Sequence, residues 1–386
     1  LEMLMAGSVV SKYWGVYLNQ FFELIGWNIN TNIAIGSFNF DLAPVIIVAF
    51  FTALLVMGTK IGARVDGALT ILKIAIVVFI VVVGFFYIKA ENFTPFIPPS
   101  EPAASTDGSG VSAVMEQPLW QWATGMAPSI YGVTGIISGA ALVFFAFLGF
   151  DVVATASEET INPKKNVPLG IGVGLGLIIV LYTLVAIVTT GMVSYKDLAK
   201  QSDPSLAVAF KMVGADWAAK IISLGIVIGM ATVVMVLLLG LTRVVFAMSR
   251  DGLLPRGLSH TGKHGTPVRL QIIVGVVMAL IAACCNVGIL SDMVNIGTLS
   301  AFTLVAISIP IMRKKRPDLE RSFKIPGNPW VPILIAIANL WLMVNLSVLT
   351  WIRFVVWLIV GFAIYFGYGY RHARLGAGEL EVAAQE

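Results

Sequence analysis

Along this chain, long stretches nearly free of charge alternate with short polar clusters. The stretches are Leu1–Phe22, Leu42–Met57, Ala68–Ile88, Gly132–Ala156, Pro168–Val193, Trp217–Met248, Val268–Asn286, Asp292–Met312, Pro329–Leu346 and Trp351–Tyr368. Each is near or above the ~18–20 residues that carry a helix across the hydrocarbon of a bilayer. Lipid offers no hydrogen bonds to the backbone, so every N–H and C=O must be paired within the segment, and helices do this most economically. The residue-by-residue alternation of a membrane barrel is absent. The pattern predicts an all-α polytopic membrane protein of about ten spans.

The loops between the runs differ in charge. One set holds Lys60 and Arg64, then Lys164 and Lys165, then Arg250, Arg256, Lys263 and Arg269. It continues with Arg313, Lys314, Lys315, Arg316, Arg321 and Lys324, and ends with Arg371 and Arg374. The alternate loops hold mainly Lys89, Lys196, Lys200 and Lys211. Lysine and arginine gather on the cytoplasmic side of membrane proteins, which places the first set and the C-terminus inside. The segment from Glu91 to Tyr131 is then outside; its SEPAASTDGSG stretch reads as a flexible loop, and Trp120 and Trp122 suit the membrane surface.

Composition narrows the classes of function. The chain has 386 residues, 58% hydrophobic and 12% charged, with a formal net charge of +4. Soluble domains carry about 25% charge. The basic residues sit between apolar runs, so they read as topology signals and not as a nucleic-acid surface. Cys284 and Cys285 are adjacent and suit packing better than a disulfide. His260 and His264 have helical metal spacing, but Gly262, Gly265 and Pro267 argue against a helix there. No nucleophile–base pair, metal set or phosphate loop falls within a span, so neither an enzyme, a metal nor a cofactor is expected.

Two positions carry candidate chemistry. The fourth run, TGIISGAALVFFAFLGFDVVATASEE, places Gly149 and Asp151 well inside a span. Gly149 weakens a helix by about 1 kcal/mol relative to Ala, and Asp151 is suited to cap a new helix after it. One reading is a broken helix whose free N–H and C=O groups hold an amino acid near the bilayer midplane. The other is a continuous helix with glycines for close packing and Asp151 bonded to a neighbour. Lys73 lies within LTILKIAIVVFIVVV, and an ionisable residue at such depth is a functional candidate. Proton exchange at Lys73 would couple movement to a gradient; the competing reading is snorkelling toward the cytoplasmic headgroups. Lys12 reads as a snorkelling or interhelical lysine. Thr232, Asn295 and Thr298 are isolated polar residues fit for ligand or interhelical hydrogen bonds.

The cytoplasmic motifs add a resemblance. Glu158-Glu159-Thr160-Ile161-Asn162-Pro163-Lys164-Lys165-Asn166-Val167-Pro168 resembles the segment after the sixth helix of amino acid/polyamine/organocation permeases. Ser249 to Pro255 resembles the segment after their eighth helix, and Asn295 to Leu299 the start of their tenth. Arg316-Pro317 with Phe323 to Pro326 resembles the loop before their eleventh. Order and spacing agree over almost the whole chain, closest to the cationic amino acid transporter branch and its bacterial relatives.

The resemblance implies a five-plus-five inverted-repeat transporter fold with two trailing helices. Counted on that fold, the runs match the third to twelfth helices, and the apolar opening LEMLMAGSVV leads to the expectation of an N-terminal truncation. The implied divisions are 1–88 for the rest of the first repeat, 89–131 for the outer loop and 132–312 for the second repeat. Helices eleven and twelve then occupy 313–370, and 371–386 is a cytoplasmic tail. By position, Lys73 resembles the fifth-helix lysine that replaces a sodium ion in proton-coupled relatives. Phe145, Ala146, Phe147, Leu148 and Gly149 resemble the unwound, substrate-binding stretch. Thr232 falls near the ion-site region and Leu237 near the substrate side chain, favouring small neutral substrates over cationic ones. Glu2 resembles a carboxylate of the side-chain pocket. The expectation is a proton-coupled amino acid permease of the cell membrane, whose partners are an amino acid, protons and the bilayer. The alternatives are a non-transporting amino acid sensor of the same fold or an inactive truncated fragment.

Overall fold

The computed structural model describes residues 2–27, 31–35, 38–58, 63–102, 115–126, 129–150, 153, 160–201, 204–260, 267–318, 321 and 324–373. Ten main helices follow one another there: α1 (Glu2–Leu24), α2 (Leu42–Val56), α3 (Ala63–Phe85), α4 (Gly132–Val143), α5 (Pro163–Met192), α6 (Asp216–Arg250), α7 (Val268–Cys284), α8 (Val287–Lys315), α9 (Trp330–Val344) and α10 (Val348–Ile364). Each corresponds to one apolar run. Among the described residues, five stretches, within α3, α5, α6 and α8 and from Val348 to Gly369, are long and apolar enough to cross a membrane. The apolar helices Leu42–Val56, Gly132–Phe147, Val268–Cys284 and Trp330–Val344 are shorter than their runs suggested. A 15-residue helix such as α2 is only ~22 Å long at 1.5 Å per residue.

Side chains fix several boundaries. Asp41 caps α2 by accepting from the Ala43 N–H, Asn286 caps α8 through the Gly288 N–H, and Ser347 caps α10 through the Thr350 N–H. Asn162 adopts φ 52°, a left-handed conformation that asparagine tolerates, and Pro163 follows at the first helical position of α5. The Asn-Pro pair is therefore a helix-start device. Between α1 and α2, strands Asn32–Ile35 and Phe38–Asp41 pair antiparallel, a hairpin that hydropathy did not announce.

Three apolar cores organise the bundle. The first joins α1, α2, α6 and α7 around Ala6, Val48, Phe51, Leu238, Leu270 and Met278. The second joins α3, α5 and the start of α6 around Ile80, Val188, Phe210 and Ile222. A third gathers α4, α8, α9 and α10 around Ala141, Ile296, Leu299, Met343 and Phe354. Helix α6 takes part in the first two, and small residues permit its close contacts. A Cβ on Gly225 would lie 2.5 Å from the Ile76 Cδ1 of α3.

Contacts at the helix ends sort as the loop charges do. At one end, Lys211 pairs with Glu23 and Lys196 with Glu101. There Pro118, before the short helix Leu119–Thr124, bridges to Ser347 in the turn between α9 and α10. At the other end, Gly252, just past α6, packs directly on the His372 carbonyl beyond α10. Part of the predicted flexible loop is ordered: Glu101–Pro102 pairs with Ser129–Ile130. Residues 103–114 lie outside the described residues.

Candidate functional site

Helix α4 stops in mid-span. After Val143 the chain makes a 3-10 turn, Phe144–Phe147, then Leu148 is extended at φ −69° and ψ 143°. Gly149 follows at φ 120°. Side chains rarely adopt that conformation, so glycine is required there by the backbone itself. The helical backbone is interrupted in the neighbourhood where the sequence offered either a broken or a continuous helix. Asp151, its proposed cap, lies outside the described residues.

An interrupted helix releases carbonyls that no i+4 N–H can reach. Two neighbouring helices supply donors. Tyr182 of α5 donates its hydroxyl to the Ala146 carbonyl at 3.1 Å, and Asn295 of α8 donates Nδ2 to the Leu142 carbonyl at 3.4 Å. The aromatic rings of the stretch divide their contacts. Phe147 meets the Tyr182 ring edge-on at 5.4 Å, while Phe144 and Phe150 meet Phe302 of α8. Phe145 and Leu148 pack against the first core, which contains the buried Leu237.

The opening of α1 reaches the same core. Met3, Leu4 and Met5 pack on it, and a Cβ on Gly7 would stand 3.8 Å from the Leu237 Cβ. Glu2, half-buried, is the first residue of this helix. Phe145, Leu148, Leu237 and the start of α1 therefore all belong to or pack on the first core. Ala146 contributes a carbonyl and little burial, and Phe147 turns toward α5.

Lys73 joins Thr232 at a second point on α6. The lysine is half-buried, and its Cγ would lie 3.3 Å from a Cβ on Gly229. The stem therefore runs along α6 over a glycine. Thr232 donates its hydroxyl to that same Gly229 carbonyl at 2.8 Å. Thr232 and Leu237 are five residues apart in α6, ~7.5 Å along the axis. Desolvation raises the carboxyl pKa of Asp41, the α2 cap, above its usual range, and the positive charge of Lys12 on α1 partly offsets the rise.

A cavity of about 710 Å³ borders the other end of α4. Its walls include Tyr131, Gly135, Gly139 and Leu142, with Asp292 of α8 and Asn345 opposite. It reaches Leu142, one residue from the end of α4, but neither the Phe145–Gly149 stretch nor Leu237 lines it. Thr350 donates to Asp292 at 3.1 Å. Beside the cavity, Lys196 bonds Glu101 at 2.8 Å and stands 5.4 Å from the Tyr131 ring centre. The hydrogen bond to Glu101 is the main reason its pKa lies above the ordinary lysine value.

Sequence reasoning did not single out Tyr182, and offered Asn295 as an isolated polar residue fit for ligand or interhelical hydrogen bonds and as the start of the tenth-helix motif. Their significance lies in the carbonyls they reach across 36 and 153 residues, which local sequence does not encode. Among the described residues, no group of three His, Cys, Asp or Glu side chains is placed to hold a metal ion.

Apolar helices around a broken one define a polytopic, all-α membrane transporter. The chain belongs to the amino acid permease family, whose model matches residues 3–367. It is 38% identical over 385 residues to the branched-chain amino acid permease BcaP of Bacillus subtilis, covering 97% of this chain and 75% of that protein. It is also 38% identical over 383 residues to the methylthioribose transporter of Bacillus subtilis, with the same coverages of 97% and 75%. The human cationic amino acid transporter 4 is 26% identical over 507 residues, covering 98% of this chain and 75% of that protein. All three bear the names of permeases or transporters, not of enzymes.

Proposed function

We propose that the protein imports small neutral amino acids across the cell membrane by alternating access, coupled to protons through Lys73. The observation that carries this reading is the interruption of α4 from Phe144 to Gly149. A span interrupted in this way can turn backbone groups toward the carboxylate and ammonium of an amino acid. The apolar side chains of Phe145, Leu148 and Leu237, all of the first core, suit an aliphatic substrate side chain, in keeping with the relative named as a branched-chain amino acid permease. Lys73, laid on Gly229 beside Thr232, is the ionisable group on which proton coupling rests. In this reading α1–α3 belong to one repeat and α4–α8 to a second, with α9 and α10 trailing and the C-terminus cytoplasmic.

Uptake of labelled L-leucine into proteoliposomes under an inward proton gradient tests the proposal. Wild type should accumulate leucine, and dissipating the gradient should stop accumulation. Lys73→Met should lower gradient-driven uptake at least about tenfold. Undiminished gradient-driven uptake in that variant would remove Lys73 from the coupling. A second reading has a specific support, the equally similar methylthioribose transporter. Competition by methylthioribose, with none by leucine, alanine or lysine, would favour it. Binding of leucine without flux would instead indicate a sensor.

A further inference from the structure

Asn295 has a use beyond helix packing. Helix α8 packs against α1, α4 and the 3-10 turn, and Asn295, two turns into α8, is fully buried. Its Nδ2 faces the Leu142 carbonyl, so its Oδ1, on the same small planar amide, lies at the edge of the interruption. That oxygen is buried and has no hydrogen-bond partner among the described residues. Buried acceptors are seldom left unmet in folded proteins, because the desolvation is not recovered. The other fully buried polar side chains of α8 do not share this state: Thr298 returns its hydroxyl to the Val294 carbonyl.

We infer that Asn295 is a substrate-binding residue, its Nδ2 anchoring the end of α4 and its Oδ1 accepting an N–H from the ammonium of an amino acid seated at the break. The inference rests on the permease reading above and names which end of the substrate α8 meets. An amide oxygen only accepts, and a carboxylate only accepts, so the two make no hydrogen bond with each other. The amine is the part of an amino acid that carries donors. A site built to bond a donor discriminates against the analogue that lacks it, since the protein group is then left unpaired.

The test uses the protein in proteoliposomes with L-leucine as substrate and its deaminated analogue, 4-methyl-2-oxopentanoate, as competitor. Wild type should prefer leucine by at least about tenfold. Asn295→Ala should raise the KM for leucine about tenfold, leave Vmax within about twofold and narrow the preference over the analogue. Asn295→Asp keeps an acceptor of the same shape and should retain the preference. Unchanged KM with reduced Vmax in the Ala variant would assign Asn295 to packing alone and overturn the inference. Loss of the preference in the Asp variant would overturn it too, by making Nδ2 the working atom. This second measurement decides the matter if the Ala variant does not assemble. Wild type that takes up neither compound overturns the permease reading and this inference together. Wild type that transports leucine while both variants keep the full preference overturns the inference alone.

Discussion

Helices α4 and α6 are both apolar spans containing several glycines, yet one is interrupted and the other runs unbroken for 35 residues. The difference lies in what each glycine does. Gly225 and Gly229 of α6 sit under side chains of α3: an added Cβ would press on Ile76 in one case and on Lys73 in the other. These glycines are absences of bulk that let two helices approach. Gly149 has the opposite character. An added Cβ there would meet no described heavy atom within 4 Å, but its φ of 120° is a conformation that side chains rarely take. One helix uses glycine for space and the other for shape.

Exchanging each glycine for alanine sharpens that contrast, and it carries the largest effect expected here. Gly149→Ala introduces backbone strain of roughly 1–3 kcal/mol unless the segment changes conformation. Either outcome disturbs the interruption, so leucine uptake should fall at least about tenfold while the protein remains monodisperse. Gly225→Ala places a methyl 2.5 Å from the Ile76 Cδ1 and should separate α3 from α6. Its loss should appear first in the melting temperature, with uptake reduced in proportion to the folded fraction. If Gly149→Ala were silent in transport and Gly225→Ala silent in stability, the distinction between space and shape would be wrong.

A smaller effect is expected where α5 meets the break. Tyr182→Phe deletes one hydroxyl and keeps the ring that meets Phe147. A single hydrogen bond contributes ~0.5–1.5 kcal/mol net. Uptake should therefore fall about two- to tenfold, with little change in melting temperature. An unaltered rate would mean that the Ala146 carbonyl needs no fixed donor during transport.

The legible and illegible parts of this fold divide along the same line. Hydropathy located each helix because lipid imposes one demand on every residue of a span. It did not show that α4 stops at Val143, although Gly149 and Asp151 marked the neighbourhood. Tyr182 and Asn295, on two other helices, bond the Ala146 and Leu142 carbonyls there, and hydropathy does not encode such contacts. Hydropathy also left burial undecided: the spans within α3 and α6 are equally apolar, yet the one in α6 is far more buried. Lipid and protein interior accept the same side chains, and small residues on α6 indicate where protein contact is possible. Lys73 was legible as an anomaly in its run. Its position over Gly229 was not, because that glycine lies 156 residues away.

The weakest expected effect concerns Asp41, in the half of the molecule that packs around α1 and α6. Burial raises its carboxyl pKa above 3.8, and Lys12, the Ala43 N–H and the Thr31 hydroxyl only partly offset the rise. The folded state therefore holds a proton over a window starting near 3.8 in which the unfolded chain has released it. Stability must fall as pH rises through that window and become level above the folded pKa. Asp41→Asn retains an oxygen to cap Ala43 and removes the charge, so this slope should vanish. The variant should melt at or above wild type at pH 7, and the gap should close as the pH falls below about 4. A gap that widened on acidification would show that Lys12 overcomes the desolvation. Because Asp41 caps α2 and the proposed coupling rests on Lys73 of α3, leucine uptake per folded molecule should not follow this titration. If uptake did follow it, the α1–α2 hairpin would have to be counted among the moving parts.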